Sequence, residues 1–541
     1  MATARPTTAV AATRAPVAAL RRDITWIDVF WVASGVPALV LFSIGGIAAT
    51  VGNPSWVVWI VSVLMGYIQA HTYAEIAGMF PSKSGGASIY GAAAWVRYAR
   101  VIAPLSVWCN WLAWTPVLAI GTGIAAGYIF TALFPADSAI LTWSIPLLDL
   151  GFLKEGLGLR INATSILGTV LLLGVFAMQH HGILRTARIQ TIVGIAVIVP
   201  LLIVGLVPLL TGDVLQANLF PLGPLATDAS GGPIAGPWTL SGWTLFLGGL
   251  FIAAWSTYAF ETAVCYTSEL KHPERDTARG IISAGLLCIV IFSLVPLSFQ
   301  GTLGLGRMLE PGIYDGSGVA EAMGDMIGGG TLVHALLVIM LLLALVLSIM
   351  TAMAGSSRTL YQGSVDGWLP RYLGCINEHG APTRAMWTDL GFNVLLLMMS
   401  DYVFVLAVSN CCYLVFNFLN LNAGWIHRLD NPLAHRPWRC PNPLLAAGVV
   451  LAFVNMILLG AGANVWGAGT LVSGIVAMLL VGPVFLFRHY VQDRGRFPPE
   501  MLRDLPVEER DLGRRRAGHL PYVALAAGAL VVMVSNWLFQ V

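Results

Sequence analysis

The chain has 541 residues, of which 57% are hydrophobic and only 10% are charged. A water-soluble protein carries about 25% charged residues, so a soluble multidomain enzyme is excluded at the outset. The net charge of +2 is a small difference between 29 basic and 27 acidic residues, and it gives no sign of a nucleic-acid partner. The positions of those charges say more than their sum.

Residues 1–25 are rich in Ala and Arg and lack the apolar core of a signal peptide, which predicts a cytoplasmic N-terminal tail. Hydropathy then predicts membrane spans at 26–51, 55–79, 101–134, 161–180, 187–211, 242–266, 278–300, 331–354, 385–400, 402–425, 442–462 and 465–487. The third is long enough to tilt, and the ninth and tenth meet so closely around Asp401 that they must form a hairpin. Residues 488–519 are charged, contain Pro498, Pro499 and Pro506, and read as a basic cytoplasmic linker. The apolar run 520–541 reads as a thirteenth span, with a helix lying in the membrane interface as the alternative.

With the N-terminus inside, 26 of the 29 Lys and Arg residues fall on the cytoplasmic side, leaving Lys154, Arg160 and Arg307 outside. Such a split is a strong positive-inside signal, and one missed early helix would have scrambled it. The seven cysteines sit in apolar runs or basic loops without metal-ligand spacing, which argues against a disulfide framework or a metal centre. The expectation is a multi-pass protein of the cell membrane whose function resides in its helix bundle.

Two spans carry polar interruptions. Span one contains Ser34-Gly35-Val36-Pro37. Gly35 permits a backbone closed to other residues, and Pro37 removes a donor. A break here frees N–H groups at the start of a half-helix, where a carboxylate is favoured; a proline kink without a ligand is the plainer reading. Gly45 and Gly46 fall in the second half-helix, where packing is expected and a change to Ala should be mild. Span six crowds Trp255, Ser256, Thr257, Tyr258 and Glu261 into an apolar run. A carboxylate at such depth costs about 2.5–3.5 kcal/mol and usually faces a partner or a pathway. The two breaks lie five spans apart, and because five is odd the second half enters from the opposite side. Interrupted helices at matching places in inverted halves point to a transporter site.

These residues carry a resemblance. The stretch "WSTYAFETAVCYTSELKHPERDTARG" from Trp255, "AEIAGMFPSKSGGASIYG" (74–91), "SSRTLYQGSVDGWLP" (356–370) and "RPWRCP" (436–441) resemble motifs of the amino acid–polyamine–organocation permeases. The first span looks more like the amino acid/choline branch, and the resemblance covers about 26–487. It implies an all-α, five-plus-five inverted-repeat core of the LeuT type, with repeats at 26–211 and 242–425 and two or three further helices. It also implies that a substrate carboxylate rests on the backbone of Ser34, Gly35 and Val36, and an amine on carbonyls of Trp31, Trp255 and Tyr258. Trp255 would pack on the substrate and Glu261 would serve gating and protonation. Two departures stand out. Ala259-Phe260 replaces the usual small residue before the glutamate, and the span-five position that is lysine in many relatives is Val197.

Other polar residues have local readings. His71 and Glu75 share a helix face and suggest a structural hydrogen bond. Asp389 is expected to pair with Arg384 or to snorkel. Ser356 and Ser357 are candidate sodium ligands between spans one and eight, since hard cations take oxygen. Trp108, Trp111 and Trp114 form one face of span three, and nothing puts Trp114 beside both breaks. The function expected is a secondary active transporter of an amino acid, without a cofactor beyond a coupling Na+ or H+. Its partners would be a small-molecule substrate and the bilayer. The rival inside transport is a carrier of a polyamine or choline-like cation; outside transport it is a transport-dead sensor.

Overall fold

A computed structural model describes residues 20–505 and 514–539, apart from 136, 229, 230, 315, 317 and 329. Most of the expected N-terminal tail, residues 506–513 of the linker and the last two residues lie outside that set.

Helices occupy the thirteen predicted spans in order: Trp26–Val51, Ser55–Gly78, Ile102–Leu133, Ala163–Gln179, Ile183–Thr211, Leu240–Glu269, Pro273–Met308, Thr331–Val365, Thr383–Leu397, Tyr402–Asp430, Asn442–Trp466, Thr470–Gln492 and Leu520–Leu538. Eleven of them are long and apolar enough to cross a membrane, and the fourth and ninth are shorter. The chain is an all-α, multi-pass membrane protein of the five-plus-five type, each half carrying one interrupted helix at its start. Span three is itself two helices that meet at Thr115–Pro116, because Pro116 has no N–H to donate to the turn before it.

Outside the bundle the structure adds pieces that the hydropathy reading lacked. A buried helix, Ala87–Trp95, follows span two on the face of the basic loops. On the opposite face, Ser144–Asp149 pairs antiparallel with Gly158–Asn162, and Leu225–Thr227 with Pro233–Ala235. The first of these hairpins clamps the turn between spans nine and ten. Arg160 N–H donates to Met398 O at 2.8 Å, Ser400 N–H donates to Gly158 O at 2.9 Å, and Lys154 pairs with Asp401.

Two polar residues find partners other than those expected. Asp389 is fully buried and accepts from Trp111 Nε1 and Ser356 Oγ, both at 2.6 Å, rather than from Arg384. Glu75 turns away from His71, accepts from Arg428 Nε at 2.9 Å and Cys440 N–H at 2.8 Å, and is ion-paired with Arg436 at 3.2 Å. It fastens span two to the loop before span eleven. In both cases burial is tolerated because each carboxylate is met by several donors.

The last helix follows span eleven along its length. Tyr522 OH donates to Tyr98 O at 2.8 Å on the basic face, and Asn464 Nδ2 donates to Asn536 Oδ1 at 3.2 Å on the other. Between them Gly460 allows close approach, since a Cβ there would lie 2.1 Å from Ser535 Oγ. A tag following residue 541 is therefore expected on the opposite face from a tag at Gly495. Antibody access in intact and permeabilised cells checks this, and access from a single face would make the helix a surface element.

Candidate substrate site and its gates

Span one begins as α-helix (Trp26–Val32), tightens to 3-10 helix over Ala33–Gly35 and Pro37–Leu39, and resumes as α-helix over Val40–Val51. Pro37 supplies no N–H, and the bonds that remain are short-ranged: Val36 N–H to Ala33 O at 3.1 Å and Leu39 N–H to Val36 O at 2.9 Å. The backbone freedom expected of Gly35 is not used, for it is absent from the glycines with positive φ. What Gly35 provides is close approach to span eight. A Cβ there would lie 2.4 Å from Thr351 Oγ1 and 2.5 Å from Leu347 O.

Span six is α-helical over Leu240–Thr257 and then 3-10 over Ala259–Glu269. Runs of 3-10 helix longer than three or four residues are uncommon and often mark a functional hinge. No Gly or Pro lies within this one; tertiary bonds hold its carbonyls instead. Cys265 O accepts Gly85 N–H at 2.9 Å, Val264 O accepts Tyr90 OH at 2.8 Å, and Glu269 O accepts Ile24 N–H at 3.2 Å. The Gly85-Gly86 pair after span two makes this docking feasible. Both glycines have positive φ, and a Cβ on Gly86 would meet Cys265 Sγ at 2.8 Å, so only glycine fits.

The two breaks meet in the centre of the bundle. Ser256 Oγ donates to Leu39 O at 3.4 Å, and the Trp255 and Phe42 rings lie 6.2 Å apart. Ser34, Gly35, Val36, Trp255, Ser256 and Tyr258 are all buried there, while Trp31 is half-buried with its ring edge against Gly194 of span five. Two of the carbonyls expected to face an amine already have partners: Trp31 O accepts Ser34 Oγ at 2.6 Å, and Tyr258 O accepts Glu261 N–H at 3.1 Å. Trp255 is more than a ring wall, because its Nε1 donates to Ala113 O and Ser409 Oγ, each at 3.1 Å, and so ties span six to spans three and ten.

Glu261 lies beyond the break, toward the basic face. Its Oε1 accepts from Trp114 Nε1 at 2.9 Å and Asn110 Nδ2 at 3.4 Å; its Oε2 is buried without a hydrogen-bond partner among the described residues. Thr359 of span eight extends the cluster, donating to Asn110 Oδ1 at 2.8 Å. Trp114, which the sequence did not associate with the breaks, thus holds the central carboxylate. Asn110 stands one turn before it, and that spacing was the available signal. Trp114→Phe keeps the ring but removes the better donor, and is expected to slow turnover on the order of ten-fold. Substrate flux at saturating concentration measures it, and wild-type flux would make the bond merely structural.

The oxygens at the junction of spans one and eight come from other residues than Ser356 and Ser357. Ser356 is engaged with Asp389, and Ser357 Oγ donates to Ala354 O at 3.3 Å. The hydroxyls that reach span one are Ser348, donating to Gly35 O at 2.9 Å, and Thr351, donating to Val32 O at 2.7 Å. Gln190 of span five joins them, its Nε2 lying 3.0 Å from Thr351 Oγ1 and 3.3 Å from Val32 O. Val197 is buried two turns further along span five.

The site is sealed on the basic face. Arg358 of span eight makes a buried two-pronged pair with Glu269 at the end of span six, with one arm at 3.0 Å. Lys83 pairs with Asp366 at 2.7 Å, both about 1% exposed. The segment leading into span one lies across the same region, with Lys271 N–H donating to Ile24 O at 2.9 Å.

Paired interrupted helices at the repeat interface of a membrane bundle are the arrangement in which many secondary transporters hold their substrates. The amino acid permease family model matches residues 24–482, and the chain belongs to that family. It is 23% identical over 309 residues to a branched-chain amino acid permease of Lactococcus lactis, covering 56% of this chain and 61% of that protein. It is also 23% identical over 430 residues to a polyamine transporter of Oryza sativa, covering 79% of this chain and 70% of that one.

Proposed function

We propose that this chain is a secondary active transporter, permease or exchanger, that moves an amino acid across the cell membrane by alternating access, with its N-terminus and basic face in the cytoplasm. The observation that carries the reading is the meeting of the two broken helices, where Leu39 and Phe42 of span one reach Ser256 and Trp255 of span six, with Ser34, Gly35, Val36 and Tyr258 buried on the same two interruptions. A substrate carboxylate rests on the span-one backbone, and Trp255 packs over the substrate. No covalent intermediate is needed. Binding favours closure on one side and release of the Arg358–Glu269 and Lys83–Asp366 pairs on the other.

A second reading, a polyamine or choline-like cation as substrate, is favoured by one feature. The free oxygen of Glu261 is the unpartnered carboxylate oxygen in this region among the described residues, and it can supply the counter-charge to a cation. For the coupling ion, the oxygens of Val32, Gly35, Ser348 and Thr351 support Na+, while Glu261 supports H+. Proteoliposomes given one gradient at a time, with amino acids competed against their amides and against polyamines, test all three points. Uptake blocked by amino acids but not by their amides is the expected result. Equal competition by acid and amide would turn the assignment to the amine carrier.

A further inference from the structure

The charged segment after span twelve, a linker by its sequence, is built into the basic face. Its first part docks on residues 367–371, in the loop that follows span eight and packs against it. Asp493 accepts from Arg371 Nη2 at 2.5 Å and from Arg488 Nε at 2.6 Å, and Gln492 Oε1 accepts Arg371 N–H at 2.9 Å. The Phe497 ring lies 5.3 Å from Trp368. Pro498 closes on Gly367, where φ is 89° and a Cβ would be 2.5 Å from Pro498 Cδ. Further along, the partners change. Met501 is fully buried and gives its carbonyl to Lys83 Nζ at 2.7 Å. Asp504 accepts Ser82 N–H at 3.1 Å and Ser82 Oγ at 2.5 Å. One short segment, 493–505, therefore bridges span eight and the loop after span two.

That loop is held to both spans. Thr359 Oγ1 of span eight donates to Gly85 O at 2.9 Å and Gln362 Oε1 accepts Ser84 N–H at 3.3 Å, while its bonds to span six engage the backbone of the 3-10 stretch. Ser84 and Ser268 share a hydrogen bond of 2.6 Å, and Gly85 N–H and Tyr90 OH hold the carbonyls of Cys265 and Val264. Parting span six from span eight, as the Arg358–Glu269 seal requires for opening, breaks one of these two sets of bonds, and a loop that keeps the carbonyls of Cys265 and Val264 draws Ser82 and Lys83 away from span eight. The segment 493–505 lies across this seam.

We propose that residues 493–505 form a latch on the cytoplasmic gate. The latch stays on span eight through Asp493 and Arg371, and it releases Lys83 and Ser82 each time the gate opens. It lies beyond residue 482, where the family match ends. A cavity of about 290 Å3, lined by Lys83, Gln362, Glu500 and Arg503 among others, lies beside these contacts, so part of the seam between latch and gate is not close-packed. The inference rests on the alternating-access reading, and its test does not depend on substrate.

The reporter is native Cys265, which is fully buried behind the seam. Its reaction with a membrane-impermeant maleimide is followed by peptide mass on the purified full chain in nanodiscs. The double variant Asp493→Ala/Asp504→Ala removes both ends of the latch and is expected to speed labelling about ten-fold, since each lost charge-assisted bond favoured the closed state. In Ser82→Cys/Asp504→Cys, oxidation is expected to slow labelling below the wild-type rate, and dithiothreitol to restore it. Opposite shifts in the two variants cannot come from a general loosening. Unchanged labelling in both, or slowing that the reductant does not relieve, overturns the latch. Labelling that shifts as expected in a protein moving neither amino acids nor amines keeps the latch and removes the transport reading.

Discussion

Gly35→Val is expected to abolish uptake, and Gly35→Ala to reduce it severely. The added Cβ would sit 2.4 Å from Thr351 Oγ1 and 2.5 Å from the Leu347 carbonyl, and neither can yield without moving span eight. Forcing a methyl into such a contact costs typically about 1–3 kcal/mol. Here the strain falls where Ser348 and Thr351 hold the carbonyls of Gly35 and Val32. Gly46→Ala is the proper control, because its Cβ would meet only the Trp466 ring at 3.5 Å. Gly45, expected from the sequence to be equally mild, is not. A Cβ there would lie 2.1 Å from Ile313 O in the segment between spans seven and eight. Initial uptake rates, normalised to folded protein, decide the matter. Near-wild-type transport by Gly35→Val would make the break an ordinary proline kink.

Trp255→Ala is expected to abolish substrate binding and also to destabilise the bundle, by about 3–5 kcal/mol for a buried aromatic removed without repacking. The resemblance implies a ring that packs on the substrate, and the structure adds that its N–H joins spans three and ten. Trp255→Phe separates the two roles. It keeps the apolar surface, and the lost donor leaves little unsatisfied because Ser409 Oγ still donates to Ala113 O at 3.0 Å. Its penalty in stability should be about 1 kcal/mol. Thermal unfolding with and without substrate reads both effects. A Phe variant that is stable and binds normally confines the Trp255 side chain to packing.

The spans were legible because hydrocarbon imposes one rule on a long stretch of chain: the backbone must satisfy itself, and side chains must be apolar. That rule acts residue by residue and needs no knowledge of neighbours. The same holds for the interruptions at Pro37 and around Tyr258, since a polar or helix-breaking residue in mid-span is conspicuous wherever it packs. The partners of the polar side chains were a different matter. Asp389 and Arg384 are close in sequence, yet the donors of Asp389 come from spans three and eight. Ser356 and Ser357 offer oxygens suited to a hard cation, whereas the pair that reaches span one, Ser348 and Thr351, is set by the rotation of span eight about its axis. Periodicity does not reveal that rotation when nearly every face of a helix is buried.

The sequence alone therefore determined the order of the long apolar helices, the two breaks, and the asymmetry of charge between the faces. Each follows from local composition acting against a fixed solvent. Tertiary structure alone decided which helix faces touch, and with them the Trp114–Glu261 bond, the close approach of Gly35 to span eight and the docking of residues 493–505 on Lys83. Those contacts depend on the relative rotation and depth of helices far apart in the chain. In a bundle with so few charges, one hydrogen bond or one missing methyl group settles them.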